Sequence, residues 1–165
     1  MPGLLGSLFI LGLSLWHLVA PHPLPPLTGE VDRILVDKSD RRLSLIQDGR
    51  VVRAYTVSLG FAPEGDKDRE GDGRTPEGTF RIDRRNDASR FHLSLGIDYP
   101  QREDRARAAK GGYSPGGDIF IHGQPNGWDG RVEGDWTDGC IALSNREIEA
   151  LWRAVALGTE VEILP

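Results

Sequence analysis

The sequence has little of what marks several common protein classes. Only one of its 165 residues is a cysteine, and 7% are aromatic. A single thiol cannot form an internal disulfide, so the fold does not depend on such a bridge. The formal net charge is −5 and no basic stripe is present, which argues against a nucleic-acid partner because phosphate binding requires clustered Lys and Arg. We also find no internal repeat.

Glycine and proline are abundant instead, at 21 and 11 residues, and they separate many short apolar runs. This composition favours a turn-rich β fold over a helical bundle. Residues 47–49, Gln-Asp-Gly, predict a tight hairpin turn between two early strands. Strands are predicted over 33–36, 42–46, 51–58, 78–82, 118–122 and 160–164.

Two short helices complete the predicted domain. The first covers residues 103–110 and is closed by Gly111. The second begins at a capping box formed by Ser144 and Glu147. Its apolar residues recur at helical spacing, which predicts that Trp152 lies in the core with Ile148, Leu151 and Val155. We therefore predict one mainly β domain over residues 28–165.

The N-terminal segment has a different character. Residues 4–20 form an apolar run without a formal charge, which is typical of an export signal. No Lys or Arg precedes the run and Pro21 follows it, so an uncleaved membrane anchor is the alternative. Prolines at 21, 23, 25 and 26 predict a stiff spacer. We assign residues 1–27 to a signal peptide or membrane tether with a Pro-rich spacer.

The lone cysteine lies beside a glycine and after a histidine that ends an apolar run. Cys140 follows Gly139, and His122 stands eighteen residues earlier. A thiol with an imidazole elsewhere in the chain is a pattern of covalent catalysis. Gly139 leaves space at the thiol, and the amides of Gly139 and Cys140 could hold an oxyanion. The structural alternative is a buried thiol and a packed imidazole.

The sequence contains two arrangements that resemble metal sites, and its pattern argues against both. Residues 66–77 carry acids at alternate positions with Gly71 sixth, which imitates a calcium loop, but no flanking helices are predicted. Zinc bound by His92, His122 and Cys140 would lack compact ligand spacing. A mobile, substrate-contacting loop is the preferred interpretation of residues 66–77. No metal or organic cofactor is expected.

Three blocks of the sequence together resemble the L,D-transpeptidase catalytic domain, also called the YkuD domain. They are residues 31–38, residues 71–80, and the pair of segments 119–123 and 137–141. The resemblance covers roughly residues 31–164. It implies a YkuD-like β-sandwich or barrel, preceded here by the N-terminal hydrophobic segment.

The resemblance also implies a reaction. Cys140 would attack an L,D-amide of the peptidoglycan stem peptide, His122 would act as general base, and Gly139 would contribute to the oxyanion hole. Gly123, Thr137 and Asp138 would contact the substrate. Tyr113 and His92 are further candidates for binding the stem peptide, with ordinary packing as the alternative for each.

One position departs from the family pattern. Many members have an arginine two residues after the cysteine, where this chain has Ala142. This form is similar to the murein-transpeptidase-like branch, which includes an enzyme that releases lipoprotein from the wall. A hydrolase acting on a wall-linked lipoprotein is therefore an alternative to the transpeptidase, and a non-catalytic wall-binding module is another. We expect an exported monomer in the periplasm or cell envelope, with a tether to the inner membrane as the alternative to a free protein.

Overall fold

A computed structural model describes residues 26–165 of the chain. The predicted leader over residues 1–27 therefore lies, except for its last two residues, outside the described part, and its assignment stays a prediction. Within residues 26–165, no helix is both long and apolar enough to cross a membrane.

The described residues form eight strands and two short helices, which confirms the predicted fold class. The strands are β1 (Arg33–Asp37), β2 (Arg42–Gln47), β3 (Arg50–Thr56), β4 (Gly78–Ser89), β5 (His92–Ile97), β6 (Phe120–His122), β7 (Ile141–Ala142) and β8 (Glu160–Leu164). The helices are α1 (Arg102–Gly111) and α2 (Asn145–Ala154). The strands join in one sheet with the order β3-β2-β1-β8-β4-β5-β6-β7.

The first three strands form an antiparallel meander whose core residues follow the alternation of a strand. Ile34 and Val36 of β1 are fully buried, while the three residues that alternate with them in this strand are partly exposed. Asp48 and Gly49 both have positive φ values, 49° and 72°, as a tight hairpin turn requires. β8 pairs in parallel with β1 and antiparallel with β4, so the last strand of the chain lies inside the sheet.

The two edges of the sheet meet through the chain that leaves β3. The N–H of Ser58 donates to the carbonyl of Ala142 at 3.0 Å, and the N–H of Ala142 donates to Ser58 at 2.8 Å. The sheet therefore curls until the segment after β3 touches β7. This contact gives the sheet its partly closed, barrel-like form and brings residues 57–60 beside the segment that carries Cys140.

The helices differ in how much of the core they cover. α1 buries only Ala108, and its C-cap is Gly112 in the left-handed region, one residue beyond the predicted Gly111. α2 begins at the predicted capping box of Ser144 and Glu147 and packs on β5 and β6. Trp152 corrects an expectation, because it lies only partly buried at the core margin. Its ring instead supports the guanidinium of Arg85, 3.9 Å from the ring centroid.

Candidate active site

Cys140 immediately precedes β7, next to the strand that ends in His122. β6 and β7 pair in parallel, with Ile121 opposite Ile141 and His122 opposite Ala142. The Sγ atom of Cys140 accepts the N–H of Phe120 at 3.4 Å and donates to the carbonyl of Asp118 at 3.5 Å. The residue is partly exposed, and its thiol carries no disulfide. The sheet therefore places the lone thiol beside the strand of the imidazole.

The turn before Cys140 is held by Thr137 and requires a glycine. The Thr137 hydroxyl donates to the carbonyl of Cys140 at 2.7 Å and accepts the N–H of Gly139 at 3.1 Å. Gly139 has a φ of +130°, and a Cβ atom there would lie 2.6 Å from the carbonyl oxygen of Arg74. Both the backbone conformation and the close approach exclude a side chain at this position.

The two amides of this turn have different hydrogen-bonding states. The N–H of Gly139 is already occupied by Thr137. Within residues 26–165, the N–H of Cys140 donates to no carbonyl or side chain. The Cys140 amide is thus the group beside the thiol that is free to bind a developing negative charge.

His122 ends β6 with its side chain buried. Its Nδ1 atom lies 2.7 Å from the carbonyl oxygen of Gly123. Because a carbonyl only accepts hydrogen bonds, Nδ1 carries the proton and Nε2 keeps its lone pair. The ring of Phe91 stacks on the imidazole at 4.5 Å between centroids, and Trp136 meets it edge-on at 5.8 Å. The imidazole is fixed by a hydrogen bond and by two aromatic rings.

Burial keeps both candidate reacting groups uncharged at rest. It lowers the pKa of His122 below its usual value, and the Gly123 hydrogen bond opposes this only in part. The pKa of Cys140 is raised to about 11, mainly by dense packing around the thiol although the residue is partly exposed. Asp138 and Asp118 act in the same direction, and the hydrogen bond from the N–H of Phe120 opposes them. The site therefore holds a neutral thiol and a neutral imidazole near pH 7, and no thiolate–imidazolium pair.

A cleft of about 630 Å³ opens beside the thiol. Two of its residues are close to Cys140: Asp118, whose carbonyl contacts Sγ, and Asp138, which precedes Gly139 in the chain. The remaining lining residues are Lys67, Glu70, Gly71, Ser114, Gly116 and Gly117. The cleft is large enough for several residues of a peptide to lie next to the thiol.

The loop over residues 66–77 is more tightly held than the expected mobile loop. Lys67 is buried and its ammonium pairs with Asp72 at 2.7 Å. Asp72 also accepts the backbone N–H groups of residues 68, 69 and 74. Lys38, also buried, pairs with Glu77 at 2.8 Å and donates to the carbonyl of Thr75 in the loop and to that of Gly65 just before it. Of the acids that imitate a calcium loop, Asp72 and Glu77 thus bind lysines, and Asp66 and Asp72 bind backbone amides.

The other predicted site residues occupy different positions around Cys140 and His122. Gly123 is buried, and a Cβ there would lie 2.6 Å from Oδ1 of Asn145, so its place is beside α2 and its carbonyl orients His122. Thr137 is buried in the turn, whereas Asp138 is exposed in the cleft wall. No described cluster of three His, Cys, Asp or Glu side chains is arranged to hold a metal ion.

Tyr113 and His92 have protein partners. The Tyr113 hydroxyl donates to Asp68 at 2.8 Å, and this bond raises the pKa of the phenol. Nε2 of His92 lies 2.8 Å from a carboxylate oxygen of Glu149 on α2. Both side chains therefore tie loops to the body of the domain in this structure, and substrate contact by either stays a prediction.

Sequence reasoning missed the aromatic contacts of His122. Phe91 lies in the turn between β4 and β5, and β5 was itself not predicted. Trp136 is separated from His122 by a long loop, and no spacing rule connects the two residues. The buried state of Lys67 was also missed, because charged residues in a polar loop are usually solvated.

Comparison with known proteins identifies the class to which this protein belongs. Residues 31–163 match the L,D-transpeptidase catalytic domain (YkuD), which is most of the chain. The chain belongs to this family, as its sequence resemblance indicated.

Individual relatives agree with this assignment. YafK of Escherichia coli (strain K12), a protein whose L,D-transpeptidase assignment is provisional, is 26% identical over 135 residues, covering 78% of this chain and 49% of YafK. The helical cell shape determining protein Pgp2 of Campylobacter jejuni is 28% identical with a TM-score of 0.65, covering 82% of this chain and 48% of Pgp2. Bd1075 of Bdellovibrio bacteriovorus shares the fold, at a TM-score of 0.59, 23% identity and coverage of 82% and 48%. The chain spans about half the length of each of these relatives.

Proposed function

We propose that this protein is a peptidoglycan L,D-transpeptidase that uses Cys140 as its nucleophile. The observation that carries the proposal is the pairing of β6 and β7, which sets the lone thiol beside the strand of a buried imidazole with an unoccupied Nε2. Membership of the L,D-transpeptidase family supports the substrate class, which is the stem peptide of the cell wall.

The first half of the proposed reaction forms a thioester. Nε2 of His122 removes the thiol proton of Cys140, and the thiolate attacks the amide carbonyl after the third residue of the stem peptide. The free N–H of Cys140 donates a hydrogen bond to the oxyanion and stabilises it. The N–H of Gly139 can donate a second one only if it first releases the hydroxyl of Thr137. The imidazolium then returns the proton to the departing amine as the C–N bond breaks.

The second half resolves the thioester. An acceptor amine attacks the carbonyl while His122 takes its proton, and Cys140 leaves and is reprotonated. Water can take the place of the amine, which would make the protein a hydrolase that cuts stem peptides or releases a wall-linked lipoprotein. Ala142 supports the hydrolase as a second candidate function. This residue is buried at a position where many members of the family have arginine.

The same proposal concerns location. Its substrate lies in the cell envelope, and the apolar run of residues 4–20 is typical of an export signal or anchor. We therefore propose an exported protein that acts on the wall as a monomer, held near the membrane if the leader is retained.

The test is product analysis with purified muropeptides. The full chain is incubated with tetrapeptide muropeptides and with lipoprotein-linked muropeptides, and products are followed by mass spectrometry. Cross-linked or exchanged products would support transpeptidation, and release without a new amide bond would support hydrolysis. Cys140→Ala and His122→Gln should each reduce turnover by about a thousandfold or more while the protein stays folded.

A separate reagent distinguishes an enzyme from a binding module. A carbapenem should acylate the wild-type chain once, as judged by intact mass, and should leave Cys140→Ala unmodified. A folded wild-type chain that is neither acylated nor active on either substrate would contradict the proposal and leave the non-catalytic wall-binding module.

A further inference from the structure

The imidazole of His122 is covered by the tip of a hairpin. β4 and β5 are joined by residues 90 and 91, and the ring of Phe91 lies over the imidazole with an interplanar angle of 29°. Trp136 closes a second side of the imidazole at an angle of 67° and also contacts Phe91, at 5.9 Å. Three rings from three segments of the chain therefore form one cluster.

The backbone of this tip is fixed on both sides of Phe91. Its N–H donates to the hydroxyl of Ser89 at 3.0 Å, and that hydroxyl lies 2.6 Å from the hydroxyl of Ser94. Its carbonyl accepts the N–H of Gly123 at 3.0 Å. Since Gly123 also accepts the Nδ1 proton of His122, one residue joins the tip to the imidazole.

Asn126 and His92 fasten the rest of the tip. Asn126 donates through its backbone to the carbonyl of Arg90 and through its side chain to that of Ser89, and its Oδ1 accepts the N–H of His92. His92 has a φ of +66°, an unusual conformation for a residue other than glycine. This conformation accompanies the contact of its ring with Glu149 on α2. These hydrogen bonds together fix the backbone of the tip and hold Phe91 in one place.

We propose that Phe91 is a positioning residue that holds the imidazole of His122 in the orientation needed to take the proton of Cys140. The inference rests on the proposed function, in which His122 is the general base. It extends that function by assigning a role to the β4–β5 hairpin tip, whose residues are not among those that line the cleft.

The physical reason is rotation of the imidazole. The bond from Nδ1 to Gly123 fixes one edge of the ring, but the second side-chain torsion of histidine is broad, and a ring held at one edge can tilt or flip. A stacked ring on one face and an edge contact on another remove that freedom. A tilt of the ring would move Nε2 away from the thiol, and proton transfer requires heavy atoms within hydrogen-bonding reach.

The cluster also keeps water from the face of the imidazole, and burial is the main cause of the lowered pKa of His122. Several titratable groups on the surrounding elements are engaged with other partners. His92 of the tip and Glu149 of α2 contact each other, Asp135 of the adjoining loop pairs with Arg41 at 2.9 Å, and the neutral Cys140 lies beside β6. Loss of the covering ring should therefore raise the pKa of His122 towards its ordinary value.

The experiment compares substitutions of Phe91 with a matched phenylalanine elsewhere. Phe91→Ala removes the stacked ring, Phe91→Tyr retains it, and Phe80→Leu alters a core ring that meets Tyr99 edge-on. All are made in the full chain. The tautomer and pKa of His122 are read by ¹⁵N NMR, and the rate of carbapenem acylation of Cys140 is measured against pH.

We expect Phe91→Ala to slow the maximal acylation rate by about 10- to 100-fold with little change in the carbapenem concentration for half-maximal rate, because orientation affects proton transfer. The acid limb of the pH profile should move upwards together with the NMR pKa. Phe91→Tyr should stay within about threefold of wild type, since the ring that stacks is retained. Phe80→Leu should lower the melting temperature and leave the tautomer and the pH profile unchanged.

Three results would overturn the inference. A folded Phe91→Ala protein with unchanged His122 signals and an unchanged acylation rate would show that the ring only fills space. An equal change of the pH profile in Phe80→Leu would attribute it to general loosening of the core. Moved His122 signals with unchanged acylation, together with an inactive His122→Gln control, would separate the tip from catalysis. If His122→Gln itself acylates at the wild-type rate, the proposed function has failed instead.

Discussion

The two ends of the sheet are held by different kinds of interaction. At the end that contains β1, β2 and β8, strands of five or six residues pair in register and bury aliphatic side chains, alternately in β1 and β8 and nearly continuously in β2. At the other end, β6 and β7 have three and two residues, and their loops are held by side chains that hydrogen-bond to the backbone. Thr137, Lys67 and Asp72 make such bonds around the thiol.

This difference agrees with what the proposed function requires of each end. Apolar burial is non-directional and tolerates small shifts, so it suits a scaffold. A site for proton transfer needs atoms placed within a fraction of an ångström, and directional hydrogen bonds and close glycine contacts supply that placement. We therefore expect substitutions at the β6–β7 end to change chemistry and those at the β1–β2 end to change stability.

Apart from the two proposed reacting side chains, the largest effect is expected for Gly139→Ala. The added Cβ would lie 2.6 Å from the carbonyl oxygen of Arg74, and the φ of +130° is unfavourable for alanine. Displacement of the turn should reduce turnover by about a hundredfold or more. Gly134→Ala is the matched control, because Gly134 also has a positive φ but no atom within 4 Å of the added Cβ. Equal activity of the two variants would contradict the requirement for close packing at Gly139.

The reactivity of the thiol gives the next largest effect. With its pKa raised to about 11, Cys140 should hold about a hundredfold less thiolate at pH 7 than a thiol at the ordinary value of 9.0. Alkylation by iodoacetamide, followed by intact mass, should be correspondingly slow and should keep rising up to about pH 11. A plateau near pH 8 would mean that the thiol is ionised by a partner before substrate binds.

Leu45→Ala at the scaffold end should affect stability and leave chemistry intact. Leu45 is fully buried in β2, and removal of such a side chain usually costs about 3 kcal/mol. Urea unfolding measures the loss, and carbapenem acylation of the remaining folded protein should proceed at the wild-type rate. Leu157→Ala, at a side chain that is 60% exposed, should change neither quantity measurably. Slower acylation in Leu45→Ala would show that the two ends are coupled.

Asp72→Asn should have a smaller effect that depends on pH. Burial raises the pKa of Asp72, but the Lys67 ammonium and three backbone N–H groups outweigh it and lower the pKa from 3.8 to about 2. A lowered pKa of an acid stabilises the fold above its unfolded value, so this contribution is present above about pH 4 and lost towards pH 2. The shift corresponds to about 2 kcal/mol.

Unfolding of Asp72→Asn and wild type should therefore differ at pH 7 and converge as the pH falls towards 2. The exposed Asp87→Asn serves as the control and should track wild type throughout. A difference that stays constant with pH would attribute the loss to geometry and exclude the charge of Asp72 as its cause.

The same contrast explains what could be predicted from the sequence. The strands at the scaffold end and α2 were predicted within a few residues, because alternation, the hairpin turn at residues 47–49 and the Ser144 capping box are local signals. β7 was missed because two residues carry no period. β5 was missed, and β4 was predicted to end near Ile82 although it continues to Ser89.

At the site, the motif selected Cys140, His122 and Gly139, but not what surrounds them. Phe91, which stacks on the imidazole, lies at the tip of a hairpin whose second strand, β5, was not predicted although its apolar residues alternate with His, Ser and Gly. The buried ammonium of Lys67 depends on Asp72 folding back over it within one loop. Such contacts are set by tertiary structure, and no single-sequence rule for charge or aromatic spacing describes them.

The position of β8 has a consequence for synthesis of the protein. This strand follows all the other described strands in the sequence, yet it lies between β1 and β4 and joins the β1–β3 meander to the strands that carry the thiol and the imidazole. Until it has left the ribosome and inserted, the two parts of the sheet share no central strand, and long-range pairing of this kind forms late. We expect a nascent or truncated chain without β8 to contain the complete Cys140 motif and still fail to be acylated by a carbapenem at Cys140.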